Sequence, residues 1–314
     1  MLLARQVALD GMTSVGWSLV PSDRLSFTMV AHWIVTIAAL ATQYFGIQLN
    51  TPSVSTIICL AILLLGLPHG TLDIALIRQS QGAKNLIAIV VLYLGSAAAM
   101  YTVWQMAPAF ALVIFFSLSI SHFAEDWADR MPPFLAHGTA VALLMAPAIL
   151  HTETLRSLFE LLVGHSHAAF IADAAVLVAP LSVVVASVGI ISLWTDDHRA
   201  LSVATVLSLA GMIFLPPLVG FALFFCLMHS PRQFVGGLHS LRREGVRQWS
   251  LVVGPLTLAA LGIAAIIYGQ LAAGPVSSSM IISAFVTLSV LTLPHMVMPS
   301  LTSVIAHHLK RENK

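Results

Sequence analysis

The sequence predicts an all-α integral membrane protein, a polytopic bundle of about ten transmembrane helices with both termini in the cytoplasm. Three observations carry that prediction. Of the 314 residues, 58% are hydrophobic and only 9% are charged, where soluble domains carry about 25% charge. Mean hydropathy is +0.94. The apolar residues are gathered into runs close to the roughly 20 residues that a helix needs to cross a bilayer.

Taken in order, the runs lie at about 27–46, 53–76, 86–106, 108–128, 134–151, 168–194, 199–216, 218–237, 250–272 and 279–306. Residues 1–26 are mixed in character and lack the apolar stretch and small-residue cleavage site of a signal peptide. They read as a cytoplasmic segment, and the first span is expected to serve as the insertion signal. Residues 27–306 are expected to form a single transmembrane catalytic domain, and 307–314 a cytoplasmic tail. Proline separates the closest neighbours: at Ala107–Pro108 and Pro216–Pro217 it ends one helix and begins the next.

The basic residues orient this map. With the N-terminus inside, all of the 14 Lys and Arg except Arg156 fall on the inner side, as the positive-inside rule requires. The expected location is the cell inner membrane. A net charge of +1 offers no case for nucleic acid. Cys59 and Cys226 lie inside apolar runs and read as buried hydrophobes rather than a disulfide.

Four histidines interrupt the apolar runs: His69 in GLPHGTLD, His122 in SISHFAEDW, His229 in CLMHSPRQF and His295 in TLPHMVMPS. An ionisable group at membrane depth is costly and marks a functional site. Neutral imidazole is also the commonest metal ligand. On the map, all four fall in the cytoplasmic half, late in even-numbered spans, so they are expected to converge on one metal centre. His137 lies at a similar level. His32, early in the first span, has no assigned role. His151, His165, His167, His198, His239, His307 and His308 read as surface residues.

The local context adds supporting groups. Pro68 and Pro294 each precede a histidine, where the missing N–H frees a carbonyl and kinks the helix. Asp73 and Asp126 stand four residues after His69 and His122, on the same helix face. A ligating histidine usually donates its other N–H to such a carboxylate. Imidazoles without thiolates suit iron, copper or zinc. Iron would bind dioxygen at an open position and zinc would activate water; the donors leave that choice open. Phe115, Phe116, Phe123, Phe221, Phe224 and Phe225, with Trp104, Trp127 and Met228, supply an apolar wall suited to a long polyene.

The motifs GLPHGTLD, SISHFAEDW, AHGTAV, FCLMHSPRQF and LTLPHM, in that order over about residues 60–300, resemble the Brp/Blh family of β-carotene 15,15′-dioxygenases. The resemblance implies a membrane enzyme with non-haem Fe(2+). It would use O2 to cut the central double bond of β-carotene, or of a related carotenoid, into two retinal molecules within the lipid bilayer. By resemblance, His69, His122 and His229 match iron-binding histidines, and His137 and His295 match further recurrent ones. Asp73 and Asp126 would orient ligands, His137 and Arg232 would border the site, and Gln233 would hydrogen-bond a bound water or oxygen. The sequence departs from the family in two places. Gln233 stands where members carry a second histidine, four residues after His229, and Pro299 stands where a polar or acidic residue is expected.

The alternative is a non-cleaving carotenoid or retinal carrier, or a haem-binding membrane protein. Haem would need paired axial histidines, such as His69 with His295 or His122 with His229. A retinylidene pump is not expected, because Lys84, Lys310 and Lys314 all lie outside the predicted spans and leave no buried lysine for a Schiff base.

Overall fold

The computed structural model describes residues 27–72, 86–240, 246–271 and 274–312; the side chains of His69, Leu86 and residues 238–240, 246–252 and 299–312 lie outside that description. The described residues form helices and their connections, with no strand.

The elements run α1 Phe27–Tyr44, α2 Pro52–Ala61, a π-type turn Ile62–Gly66, α3 Leu67–Gly70, α4 Leu86–Met106 and α5 Pro108–Ala124. They continue with α6 Pro133–Met145 and its 3-10 turn Ala146–Ile149, α7 Thr152–Val163, α8 His165–Thr195 and α9 Arg199–Phe214. Then come α10 Pro217–Leu223, a second π-type turn Phe224–His229, α11 Ser230–Ser240, α12 Val246–Gln270 and α13 Val276–Glu312. Proline opens α2, α5, α6 and α10, where its missing N–H costs nothing and its φ is already helical. Thr51 caps α2 by accepting from the Val54 N–H at 3.3 Å. Gly164 joins α7 to α8 at φ +79°, a conformation that other residues resist.

Among the described residues, six helices are long and apolar enough to cross a membrane: α1, α4, α8, the α10–α11 span, α12 and α13. Shorter apolar helices, Pro52–Gly66, Pro108–Ala124 and Arg199–Phe214, fall in the described parts of the predicted runs at 53–76, 108–128 and 199–216. The run at 134–151 does not give way to a loop. It bends by 107° into α7, an amphipathic helix in the stretch between two predicted spans. Leu155, Phe159 and Leu162 are buried on one face of α7, and Glu153 and Arg156 pair at its surface.

The surface pattern is that of a membrane protein. In α8 the buried stripe is Ala168, Ala172, Ala175, Ala179, Ser182, Ala186 and Gly189, while Leu177, Leu181, Val184, Val188 and Ile191 are exposed. Lipid is as apolar as leucine, so helices gain little by burying large side chains and instead pack through small ones. α8 accordingly packs against α6 and α9, and Gly138 of α6 meets Val185 where a Cβ would collide.

α9 and α10 approach each other backbone to backbone. A Cβ on Gly220 would stand 2.7 Å from the Gly211 carbonyl oxygen. Gly220→Ala is therefore expected to cost about 1–3 kcal/mol through overpacking, read as a lower unfolding midpoint in detergent.

Buried polar side chains tie the helices in register. Trp127 Nε1–H donates to Thr205 Oγ1 at 3.0 Å and Trp104 Nε1–H to Ser289 Oγ at 2.9 Å. His32 is buried and donates through Nε2–H toward Ser208 Oγ at 3.1 Å and the Ala204 carbonyl at 3.3 Å, so it pins α1 to α9. Such bonds average about 0.6 kcal/mol in a bilayer, so they select register more than they supply stability. On the other side of the bundle, α4 and α12 both pack against α13. Tyr101 Oη–H of α4 donates to Gln270 Oε1 of α12 at 2.8 Å.

Candidate metal centre

The two π-type turns set the floor of the site. Pro68 lacks the N–H that would close an α-turn onto Leu64, and the helix just upstream widens over Ile62–Gly66. The second widening, Phe224–His229, ends on the motif histidine itself. The turns pack against each other, and Ser230 Oγ–H donates to the Leu65 carbonyl at 2.7 Å. That bond satisfies an acceptor that the widening takes out of the regular ladder. Such widened turns recur at functional sites. Gly66 has a specific reason to be glycine: a Cβ there would collide with the Phe225 ring. That ring stacks on His229 with centroids 5.7 Å apart and planes at 15°, so the bare backbone at Gly66 seats the imidazole.

Three imidazoles meet above this floor. His122, near the end of α5, lies in the middle, with His229 Nε2 2.9 Å and His295 Nε2 3.3 Å from its own Nε2. The rings meet edge to face, at 86° and 89°. All three histidines are buried. Gly70 brings the backbone of α3 to the same place, since a Cβ on it would lie 3.7 Å from His295 Nδ1. His69 is the residue before it; its side chain, and all of Asp73, lie outside the described residues.

The carboxylates assign the tautomers. His229 Nδ1–H donates to Asp126 Oδ2 at 2.8 Å, with both side chains essentially fully buried. His122 Nδ1–H donates to Glu125 Oε2 at 3.3 Å. Each ring then presents an unprotonated Nε2 to the other across 2.9 Å, an arrangement of two facing lone pairs that calls for a cation between or beside them. The donor set fits a divalent metal. Nitrogens about 2.1 Å from one ion stand about 3.0 Å apart at a right angle and about 3.4 Å apart at the tetrahedral angle. Among the described residues, no three His, Cys, Asp or Glu side chains already close around a metal position. The described imidazoles therefore do not by themselves enclose a metal position.

Asp126 is the hub of the support. Its Oδ1 accepts from Gln233 Nε2–H at 3.3 Å, and its backbone carbonyl accepts from Arg232 Nη2–H at 3.1 Å. This corrects the pairing read from spacing. Asp126 does not serve His122 along its own helix. The chain leaves α5 at Ala124, and the following turn swings Asp126 across to His229 while Glu125 stays beside His122. Gln233 bonds this carboxylate, where a water or oxygen ligand was expected. His137 does not join the cluster: it is exposed on α6, and its Nδ1–H donates to the Pro133 carbonyl one turn back at 2.8 Å. Trp127, Ser230 and Phe225 are supporting residues whose contacts the sequence did not reveal. The signal for Ser230 was its place directly after His229.

A cavity of about 270 Å³ opens onto this centre. His122 and His295 are part of its wall, and the rest is almost wholly apolar: Phe115, Phe123, Phe221 and Phe225 on one side, with side chains of α4, α12 and α13 on the others. His229 stands behind, against Asp126. The site is thus a set of imidazole nitrogens exposed to a greasy chamber.

Residues 60–302 match the family described as β-carotene 15,15′-dioxygenase. The chain belongs to that family. A β-carotene 15,15′-dioxygenase from an uncultured marine bacterium, 66A03, is similar, with 32% identity over 187 residues, 55% of this chain and 66% of the relative. The chain thus covers just under two thirds of the length of that curated relative. No solved structure matches. The stretch matched to the β-carotene 15,15′-dioxygenase family takes in His69, His122, His229 and His295, together with Asp126 and the whole lining of the cavity.

Proposed function

We propose that this protein is an inner-membrane dioxygenase that cuts the central 15,15′ double bond of β-carotene with O2, giving two molecules of retinal. The observation that carries the reading is the junction of converging imidazole nitrogens with an apolar cavity of about 270 Å³. Family membership names the reaction. In this reading the chain crosses the membrane about ten times, with both termini and the metal site toward the cytoplasm. Residues 27–306 act as one transmembrane domain between the short segments 1–26 and 307–314. His69 joins His122, His229 and His295 around Fe(2+), with Asp73 supporting His69.

The reaction balances with no further reductant. One C=C bond and one O=O bond are broken, two C=O bonds form, and each retinal keeps one oxygen atom. An Fe(2+) ion held by these histidines would supply the activation of O2 that a polyene cannot provide. The chain's own residues do the rest. The aromatic wall binds the polyene and excludes water. Asp126 and Glu125 hold protons on Nδ1 of His229 and His122, which keeps both Nε2 atoms available. Gln233 and Arg232 fix Asp126 in place. The haem pairing of His122 with His229 is disfavoured, because nitrogens 2.9 Å apart and edge to face leave no room for a macrocycle between them.

The test is expression in cells that accumulate β-carotene, with His69→Ala alongside. The expected result is loss of orange colour and appearance of retinal with the unmutated protein alone. Full membrane expression with unchanged colour would overturn the reading in favour of a carrier.

A further inference from the structure

Among the described residues that line the apolar cavity, nearly all are buried or half-buried. Two are exposed at the protein surface: Leu94 of α4, at 59%, and Ala259 of α12. One stands on each of two helices, so the cavity reaches the surface between α4 and α12. The same lining includes His122 and His295, and the space is therefore continuous from this mouth to the imidazoles.

The packing of the two helices leaves room for an opening. α4 leans on α5 and α13, and α12 leans on α13 and α3. The Tyr101–Gln270 bond ties α4 to α12 beyond one end of the lining. On each helix the lining covers two turns, from Val90 to Ala97 and from Leu256 to Ile263, about 10 Å at 1.5 Å per residue. Small side chains at Ala97, Ala259 and Ala260 keep the opening clear. The surface around it is apolar, with Val91 and Leu92 of α4 and Leu258 and Ile266 of α12 all exposed. Such a patch is unfavourable against water and ordinary against lipid.

The size of the cavity gives the mouth its purpose. A space of about 150 Å³ holds one benzene, so one of about 270 Å³ encloses only a fraction of a carotenoid of about forty carbons. Most of the molecule has to lie outside the chamber while one of its bonds lies at the imidazoles. We infer that the gap between α4 and α12 is the entrance through which the polyene reaches the imidazoles from surrounding lipid, and that Leu94 and Ala259 set its width. This rests on the carotenoid reading given above.

Ala259→Trp narrows the mouth, and Leu258→Trp adds the same bulk one residue away, at an exposed position outside the lining. Leu94→Trp narrows it from the opposite lip and serves should Ala259→Trp fail to insert. Purified proteins in phosphatidylcholine vesicles carrying β-carotene give two readouts. Under nitrogen, the rate at which protein captures carotene is expected to fall about tenfold with Ala259→Trp and to stay within about twofold with Leu258→Trp. In air, the loss of retinal formation with Ala259→Trp should be largest at low carotene content and recover as that content is raised, with metal content unchanged. Equal effects of Ala259→Trp and Leu258→Trp, or none from either lip, would overturn the entrance and leave a crevice that meets only lipid chains. Capture without cleavage by the unmutated protein would defeat the proposed function, and the capture rates would still decide the entrance. No capture by the unmutated protein would overturn both.

Discussion

His122→Ala is expected to abolish metal retention and retinal formation together, while the protein still inserts and folds. His122 is the one imidazole within reach of both described partners, at 2.9 Å and 3.3 Å. Removing it leaves His229 and His295 without the nitrogen that bridges them, and no other described side chain stands in its place. The cost to stability is modest, because the truncated side chain borders an existing cavity and opens no new one in a packed interior. Metal content of the purified protein and retinal yield from β-carotene check this in parallel. A variant that keeps both would remove His122 from the centre.

The second large effect belongs to Asp126, which lies outside the lining of the cavity. Asp126→Asn keeps the shape and removes the charge that holds a proton on His229 Nδ1. The amide can turn its NH2 toward the ring, which exchanges the tautomer and takes the Nε2 lone pair away from the centre. Losses of about 10–100-fold in metal affinity or activity are the usual scale for such a supporting carboxylate. Gln233→Ala removes a longer contact of 3.3 Å to the same carboxylate, so its effect is expected to be several-fold smaller. Metal titration of the two variants gives the ranking. If Gln233→Ala matched Asp126→Asn, Gln233 would be acting at the centre directly and not through Asp126.

Much of this site is legible in the sequence, for identifiable reasons. Histidines are so costly in apolar runs that their presence alone marked His122, His229 and His295, and the structure brings those three together. Helix starts at Pro108 and Pro217 were readable because proline is local chemistry. Other features depend on where the chain goes next. Asp126 follows His122 at helical spacing, but the helix ends at Ala124, and a two-residue difference sends the carboxylate to a partner more than a hundred positions away. His137, read as level with the others, is exposed on α6 and bonds to its own helix. α7 carries an apolar repeat at Leu155, Phe159 and Leu162, yet its twelve residues are too few to read as a bilayer span. The widened turns leave little trace in composition, although Pro68 explains the first in retrospect. The count of ten runs also rested on length. The described helices range from four residues to thirty-seven, so spans and helices do not correspond one to one.

α4 and α12 both line the chamber and both lean on α13, and the Tyr101–Gln270 bond links their far ends. On the proposed reading these apolar helices face lipid, and the chamber draws its substrate from the leaflet, not from water. On the proposed reaction, turnover is then a two-dimensional encounter. Its governing variable is the mole fraction of carotene among the lipids, and two cells with equal carotene per volume but unequal membrane area would make retinal at different rates.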